Sequence, residues 1–146
     1  MRNMILAAAA IAAMASTPAM AAGEARVEAR GGIAWAAGAE DFVGGVAAGY
    51  DFDLGDTAFV GGEVSYDTDF EGFDGVNLAA RLGGKIGKGK LYATVGYDVG
   101  DIDEVNIGAG YQHGFSDKLY GKVEYRRYLL NGTDLNAAVV GVGIKF

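Results

Sequence analysis

The chain has 146 residues, and its 12 Lys and Arg against 19 Asp and Glu leave a formal net charge of −7. Such an acidic chain lacks the basic footprint that nucleic-acid binding requires, so we expect no nucleic-acid partner. The absence of Cys excludes a disulfide framework, and 25 Gly with a single Pro leave little to interrupt the ladders of a β-sheet.

The first 21 residues have the three-part pattern of a secretory signal peptide. Arg2 precedes an apolar run that ends at Met14, and an A-x-A cleavage motif follows at 19–21. The apolar run is too short to cross a bilayer, which takes about 20 helical residues. The sequence therefore predicts a signal peptide over 1–21 and one exported domain over 22–146.

The exported domain divides into eight segments in which residues alternate between two faces. Each segment has roughly the length of a tilted strand that crosses a membrane, about ten residues. One face of every segment lacks charged residues. Measured along that face, the segments cover 27–35, 42–52, 58–66, 76–86, 91–99, 105–111, 119–125 and 138–146.

The opposite face of the same segments carries charged side chains among small polar residues. They are Glu28, Arg30, Asp51, Glu63, Arg81, Lys85, Asp98, Lys122, Glu124, Arg126 and Lys145. In a soluble exported barrel that binds a small apolar ligand, the apolar face would form the core and these charges would meet water. In a membrane barrel the apolar face would meet lipid and the charges would point inward.

The aromatic residues of the apolar face favour the membrane barrel, because they fall at two rims with small aliphatic residues between them. One rim holds Trp35, Phe42, Tyr66, Tyr97 and Tyr125, and the other holds Tyr50, Phe52, Tyr111 and Phe146. Amphipathic rings at two levels are typical of the two headgroup layers of a bilayer. We therefore predict an all-β fold, an eight-stranded antiparallel up-and-down transmembrane β-barrel.

The predicted connections form two sets. Three compact connections, at 53–57, 87–90 and 114–117, lie on the same side of the predicted barrel as both chain ends. We assign this side to the periplasm. The four others are rich in Asp and Glu and contain no Lys or Arg, and we assign them to the outside. They cover 37–41, 67–75, 100–104 and 131–135.

Residues 108–128 (GAGYQHGFSDKLYGKVEYRRY) and 141–146 (GVGIKF) resemble the opacity-protein and OmpA-type family of eight-stranded barrels. The resemblance implies a location in the outer membrane of a Gram-negative bacterium. It also implies that the last strand carries a signal for the barrel-assembly machinery, at Gly141, Ile144 and Phe146. The polar residue that often lies further upstream is replaced here by Val139.

The charges on the inward face have both signs at every level of the predicted barrel. An unpaired buried charge is costly, so we expect these side chains to pair with one another and to plug the lumen. We therefore predict a structural role in envelope integrity, or a role in surface interactions. The alternative is a narrow porin-like channel for ions or small solutes, because the many glycines of the same face could leave water-filled gaps.

The sequence contains no motif that predicts an enzyme, a cofactor site or a metal site. The one histidine, His113, lies at a predicted turn, and the calcium-loop pattern that opens at Asp67 has Leu78 where the bidentate Glu belongs. Arg127, at the outer rim, could bind a phosphate of lipopolysaccharide or could be solvated. We expect outer-membrane lipids and lipopolysaccharide as partners of a monomer.

Overall fold

A computed structural model describes residues 23–72, 74–100 and 103–146, so the predicted signal peptide lies outside the described residues. Eight strands account for most of that part of the chain. They are β1 (Gly23–Ala36), β2 (Ala39–Leu54), β3 (Ala58–Thr68), β4 (Asp74–Ile86), β5 (Gly89–Gly100), β6 (Val105–Gly114), β7 (Leu119–Tyr128) and β8 (Leu135–Lys145). Among the described residues, no helix has the length and apolar character needed to cross a membrane.

The strands form one closed antiparallel barrel in which each strand pairs with its neighbours in the sequence. Closure comes from β1 and β8, which pair from Arg26 opposite Lys145 to Trp35 opposite Asn136. A closed barrel has no free strand edge, so all of its ladder hydrogen bonds are made within the sheet. The predicted fold class is confirmed.

The barrel has two ends that differ in their connections. The terminal end carries Gly23 and Phe146, the first and last described residues, and the connections 55–57, 87–88 and 115–118. The distal end carries the connections 37–38, 69–73, 101–104 and 129–134. Every strand runs between these two ends, so a residue's position along its strand gives its height in the barrel.

The strands extend further than the sequence predicted at both ends of the barrel. The predicted connection 37–41 is wrong, because β1 and β2 are joined by Ala37 and Gly38 alone, and Glu40 pairs within the sheet. Both turn residues have positive φ, 45° and 87°, as a two-residue type I′ hairpin requires. Charged residues next to a turn were thus mistaken for loop residues.

Other predicted connections also contain residues that belong to strands. Asp67 and Thr68 belong to β3, Lys90 belongs to β5, and Leu135 begins β8. Strand pairing satisfies backbone hydrogen bonds in water as well as in lipid, so the ladders continue past the apolar segments. The turn at 115–118 is tightened by the hydroxyl of Ser116, which accepts hydrogen bonds from the backbone N–H groups of Lys118 (3.3 Å) and Leu119 (3.0 Å).

The two faces of the barrel wall have opposite chemistry. On the outside, Val95 and Val142 are 53% and 58% exposed, whereas the inward Arg81 is only 2% exposed. A soluble barrel would show the reverse arrangement, with the apolar face enclosed and the charges in water. The alternative of a soluble ligand-binding barrel is therefore wrong.

Aromatic rings cover glycines of the neighbouring strand on both faces of the wall. Outside, Tyr50 lies over Gly23; inside, Tyr120 lies over Gly143. A Cβ atom added at Gly143 would come within 2.6 Å of the Tyr120 ring, so the ring occupies space that only glycine leaves free. These contacts fix where the bulky inward rings lie within a narrow lumen.

Candidate functional site

The lumen is lined by charged side chains from six of the eight strands. Within the described residues, the buried acids equal the buried bases in number: they are Glu28, Asp51, Glu63, Asp98 and Glu124, and Arg26, Arg30, Arg81, Lys122 and Arg126. Period-two alternation places these side chains on the inner surface. An equal number of each sign lets the enclosed charges neutralise one another.

Glu63 on β3 lies at the centre of the lumen and contacts four cations. Its carboxylate lies 2.6 Å from Nη1 of Arg26 and 3.1 Å from Nη1 of Arg30. It also lies 3.3 Å from Nζ of Lys122 and 3.1 Å from Nη2 of Arg126. One buried carboxylate thus connects cations from β1 and β7 across the barrel.

Two further carboxylates extend this network, one from β1 and one from β7. Nζ of Lys122 lies 2.6 Å from Glu28 and 3.5 Å from Glu124, and Arg126 pairs with Glu124. Two tyrosines add hydrogen bonds to these carboxylates: the hydroxyl of Tyr120 donates to Glu28 (2.7 Å) and that of Tyr92 donates to Glu124 (2.5 Å). Buried charges with this many partners meet the condition under which burial of ions is tolerated.

A second group of contacts surrounds Asp51, nearer the terminal end. Nε of Arg81 donates to Oδ1 of Asp51 at 2.8 Å, and Nη2 of the same side chain binds Oδ2. The Arg81 guanidinium also stacks on the Tyr92 ring, with 4.6 Å to its centroid. This two-point pairing holds both side chains in one geometry.

The predicted lumen residues Lys85 and Lys145 lie at the terminal mouth and are partly exposed. Lys85 pairs with Asp53 at 2.6 Å, and Lys145 pairs with Glu24 at 3.2 Å. Towards the distal end, Nε of Arg30 donates a hydrogen bond of 2.7 Å to Oδ1 of Asp67. Asp98 is buried, but it makes no ion pair within the described residues.

Several inward residues were missed by sequence reasoning. Arg26 is 1% exposed, and it has the inward parity of Glu28, so the alternation itself could have found it. Asp67 and Lys90 were assigned to connections. Four inward aromatic residues were not predicted, because only the aromatic residues of the apolar face were considered. They are Phe59, Tyr92, Tyr120 and Tyr128.

Each end of the barrel contains a cavity, and the two cavities share no lining residue. The distal cavity, about 210 Å³, is lined by Arg30, Arg126, Tyr128 and Val139 among others. The terminal cavity, about 240 Å³, is lined by Lys88, Gly114, Ser116, Asp117 and Lys145. Two of the cations that contact Glu63 also line the distal cavity, which places the central charges beneath it.

The aromatic residues of the two predicted rims lie on the outer surface in the places expected from their parity. At the distal rim the rings of Trp35 and Tyr125 are 6.2 Å apart between centroids. At the terminal rim Tyr50 and Phe52 are 4.7 Å apart. Phe42, at the distal rim, is the most exposed large apolar residue in the described part of the chain, at 80%.

The three residues of the predicted assembly signal lie on both faces of β8. Gly141 is buried on the inside, whereas Ile144 and Phe146 are half exposed on the outside. The backbone of Phe146 exchanges two hydrogen bonds with Ala25, both 2.9 Å. The last residue therefore extends the seam that closes the barrel.

The remaining candidates lie on the outer surface. Nη2 of Arg127 pairs with Oδ2 of Asp134 at 2.5 Å, and both side chains are about half exposed. Nδ1 of His113 lies 3.3 Å from the hydroxyl of Tyr111, and the imidazole packs edge-on against Phe115. Within the described ranges, no group of three or more His, Cys, Asp or Glu is placed to hold a metal ion.

Comparison with known proteins places this geometry among membrane barrels. The profile of the outer membrane protein beta-barrel domain matches residues 6–146. No curated protein matches the sequence.

Solved structures resemble the chain in fold. Ail, the attachment invasion locus protein of Yersinia pestis, has 15% identity and a TM-score of 0.58, with 87% of this chain and 100% of that chain covered. The N-terminal β-barrel domain of Pseudomonas aeruginosa OprF has 19% identity and a TM-score of 0.60, with 84% and 97% covered. A de novo designed transmembrane barrel has 15% identity and a TM-score of 0.60, with 87% and 98% covered.

Proposed function

Because the chain belongs to the outer membrane protein beta-barrel family and resides in the bacterial outer membrane, we propose that it is a non-conducting structural barrel of the envelope. In this proposal the paired charges close the lumen, and the apolar outer face anchors the protein in lipid. The protein has no enzymatic activity and acts through envelope integrity and contacts at the cell surface.

The observation that supports a closed lumen is the set of four cations around Glu63. An eight-stranded barrel has an interior just wide enough for side chains to fill. A conducting pore more often carries a ring of one sign, whereas here each sign is matched by the other. The charges around Glu63 and Asp51 hold one another in place, so these pairs need no mobile ion for neutrality.

A narrow channel is the second candidate, and the two end cavities favour it. Water in both cavities would leave only the central network as a barrier. Fluctuation of the ion pairs around both Glu63 and Asp51 would then connect the two cavities. The two candidates differ in whether the central pairs open on the timescale of ion passage.

Planar-bilayer recording at neutral pH distinguishes the closed barrel from the channel. We expect no steady conductance from the mature protein. The variants Arg81→Gln and Glu63→Gln test the network, and Glu40→Gln at the exposed distal rim is the matched control. Steady wild-type conductance that rises in Arg81→Gln or Glu63→Gln but not in Glu40→Gln would overturn the closed-lumen proposal.

The proposed partners are outer-membrane lipids, lipopolysaccharide and, during biogenesis, the barrel-assembly machinery. A closed barrel offers no strand edge to a second copy, which supports a monomer. At the distal rim, Arg127 has the planar donor geometry that suits phosphate, but it is engaged by Asp134. Lipopolysaccharide binding would therefore require its phosphate to compete with that carboxylate.

This competition gives the lipopolysaccharide proposal a two-sided test. In detergent without lipid, added lipopolysaccharide should raise the unfolding temperature of the wild type and raise it less in Arg127→Ala. Asp134→Asn frees the guanidinium, so this variant should respond more strongly than the wild type. Equal responses in all three proteins would exclude Arg127 as the phosphate ligand.

The absence of enzymatic activity is proposed from the surroundings of His113. The imidazole contacts Tyr111 and Phe115, and it lies on the outer surface at the terminal rim. A His-based nucleophilic site needs an orienting acid and a nucleophile within hydrogen-bond reach. Incubation with labelled lipid A should therefore leave the lipid unchanged, and chemical conversion that His113→Ala abolishes would contradict the proposal.

A further inference from the structure

Three buried polar side chains near the distal end contain buried atoms that make no hydrogen bond of good geometry. Asn77, Asp98 and Asn106 are 1%, 2% and 0% exposed. Oδ1 of Asp98 and both side-chain polar atoms of each asparagine are buried without a hydrogen bond. Buried polar groups are almost always satisfied, so this concentration of unpaired atoms is an anomaly that calls for a ligand.

These residues are neighbours on three adjacent strands. Asn77 lies directly opposite Asp98 in the β4–β5 ladder, and Asn106 lies opposite Gly96 in the β5–β6 ladder. A Cβ atom added at Gly96 would be 2.7 Å from Oδ1 of Asn77 and 2.9 Å from Oδ1 of Asn106. Two amide oxygens therefore converge over the glycine, next to the carboxylate of Asp98.

The cations of the lumen do not satisfy this carboxylate. Among the described residues, each of the other four buried acids has at least one ion pair within 4.0 Å, whereas Asp98 has none. The two arginines of the distal half are committed elsewhere: Arg30 to Glu63 and Asp67, and Arg126 to Glu63 and Glu124. Among the described residues, Asp98 is thus the one buried acid of the lumen that makes no direct ion pair.

The donor set is made of oxygens alone, one carboxylate and two carboxamides. Hard cations bind such a set, and Ca²⁺ in particular accepts carboxylate, Asn carbonyl and water oxygens in flexible geometry. Mg²⁺ demands a stricter octahedron and gives up its water reluctantly. We propose that Asp98, Asn77 and Asn106 bind one partly hydrated Ca²⁺ ion in the distal half of the lumen.

The proposal assigns a separate role to Gly96. Any larger residue at this position would place its Cβ against the two amide oxygens and displace them. The glycine therefore preserves the space in which the oxygens converge. The bound ion would occupy the distal half of the lumen, between the distal end and the charge network around Glu63. It would not be required for the closure of the barrel.

Calcium titration of the folded mature chain in uncharged detergent, free of lipopolysaccharide, tests the site. Isothermal calorimetry should show one site with a dissociation constant of about 0.1–1 mM, as expected for a site with few charged ligands. Asp98→Asn removes the charge without changing the shape, and Asn106→Leu removes an oxygen without changing the charge. Asp41→Asn, an exposed acid at the same end, is the matched control.

We expect Ca²⁺ affinity to fall at least about tenfold in Asp98→Asn and in Asn106→Leu, and to stay unchanged in Asp41→Asn. Ca²⁺ at ten times its dissociation constant should also lower the unfolding equilibrium constant of the wild type by about tenfold, an effect that Asp98→Asn should lose. Retention of electrophoretic heat-modifiability establishes that each variant is folded.

Three results would overturn the proposal. The first is equal Ca²⁺ binding in Asp98→Asn and the wild type, which would assign the ion to exposed acids. The second is the absence of Ca²⁺ binding in the wild type up to about 10 mM, a concentration above that of the weakest natural calcium modules. The third is an equal effect of Na⁺ at matched ionic strength, which would exclude a divalent site.

Discussion

The inner and outer faces of this barrel wall are built from the same eight strands, yet they are held by different forces. Each inward charge around Glu63 has named partners at hydrogen-bond distance. On the outside, Val140 is 61% exposed and has no comparable partner, because lipid takes that place in the membrane. The inner face requires specific residues, whereas the outer face requires only apolar ones.

This difference means that the two faces should respond to substitution in opposite ways. A change that removes a charge should be costly inside and harmless outside. A change that adds a charge should be costly outside, at a depth-dependent cost. Glycines should tolerate a methyl group where the space beside them is open, but not where a ring or a carbonyl already occupies that space.

The largest effect is expected from Glu63→Gln. The variant leaves four buried cations short of one negative charge, and breaking a buried ion network typically costs about 3–5 kcal/mol. Urea unfolding, followed by the electrophoretic mobility of the unboiled protein, measures the free energy. The control Glu40→Gln, an exposed acid, should not change it, and a loss below about 1 kcal/mol in Glu63→Gln would contradict the role of Glu63 at the centre of the network.

The next effect concerns a charge added to the outer face. Val140 lies in the middle of β8, so Val140→Arg should make folding into a bilayer less favourable by about 2–4 kcal/mol. Val105 begins β6 near the distal rim, so Val105→Arg should cost only about 0–1 kcal/mol. Folding titrations in phospholipid vesicles measure both, and equal costs at the two depths would contradict a lipid-facing belt.

A smaller effect is expected for the glycines. In Gly143→Ala the new methyl group would come within 2.4 Å of the Val27 carbonyl oxygen, which should destabilise the protein by about 1–3 kcal/mol. Gly62 lies on the outer face, where the nearest atom to an added Cβ is 3.9 Å away, so Gly62→Ala should be neutral or slightly stabilising. Urea unfolding measures the stability of both variants. A greater loss of stability in Gly62→Ala than in Gly143→Ala would contradict this prediction.

The smallest effect is expected at the exposed pair of Arg127 and Asp134. Despite a distance of 2.5 Å, both partners are about half exposed, and solvent screens such pairs. A double-mutant cycle with Arg127→Ala and Asp134→Ala should give a coupling below about 1 kcal/mol. The same cycle for Arg81 and Asp51 should give a larger coupling, and the reverse order would contradict the importance of burial.

The sequence predicted the strand count and the division of each strand into an apolar face and a charged face, because a period of two allows only one assignment where one face lacks charges. It did not predict strand ends, since strand pairing continues in water and ladders extend beyond the apolar segments. The sequence also did not predict that Glu63 forms ion pairs with four cations while Asp98 forms none within the described residues. Which inward side chains reach each other depends on the tilt and stagger of the closed barrel.

The most direct test of the account is spin labelling of single cysteines, since the natural chain contains none. In vesicles, labels at Val95→Cys and Val142→Cys should collide frequently with dissolved oxygen and rarely with a water-soluble nickel complex, because both residues contact hydrocarbon. A label at Asp134→Cys, at the distal end, should show the opposite preference. Frequent nickel collisions at Val95 and Val142 in folded protein would contradict the lipid-facing assignment on which the whole account depends.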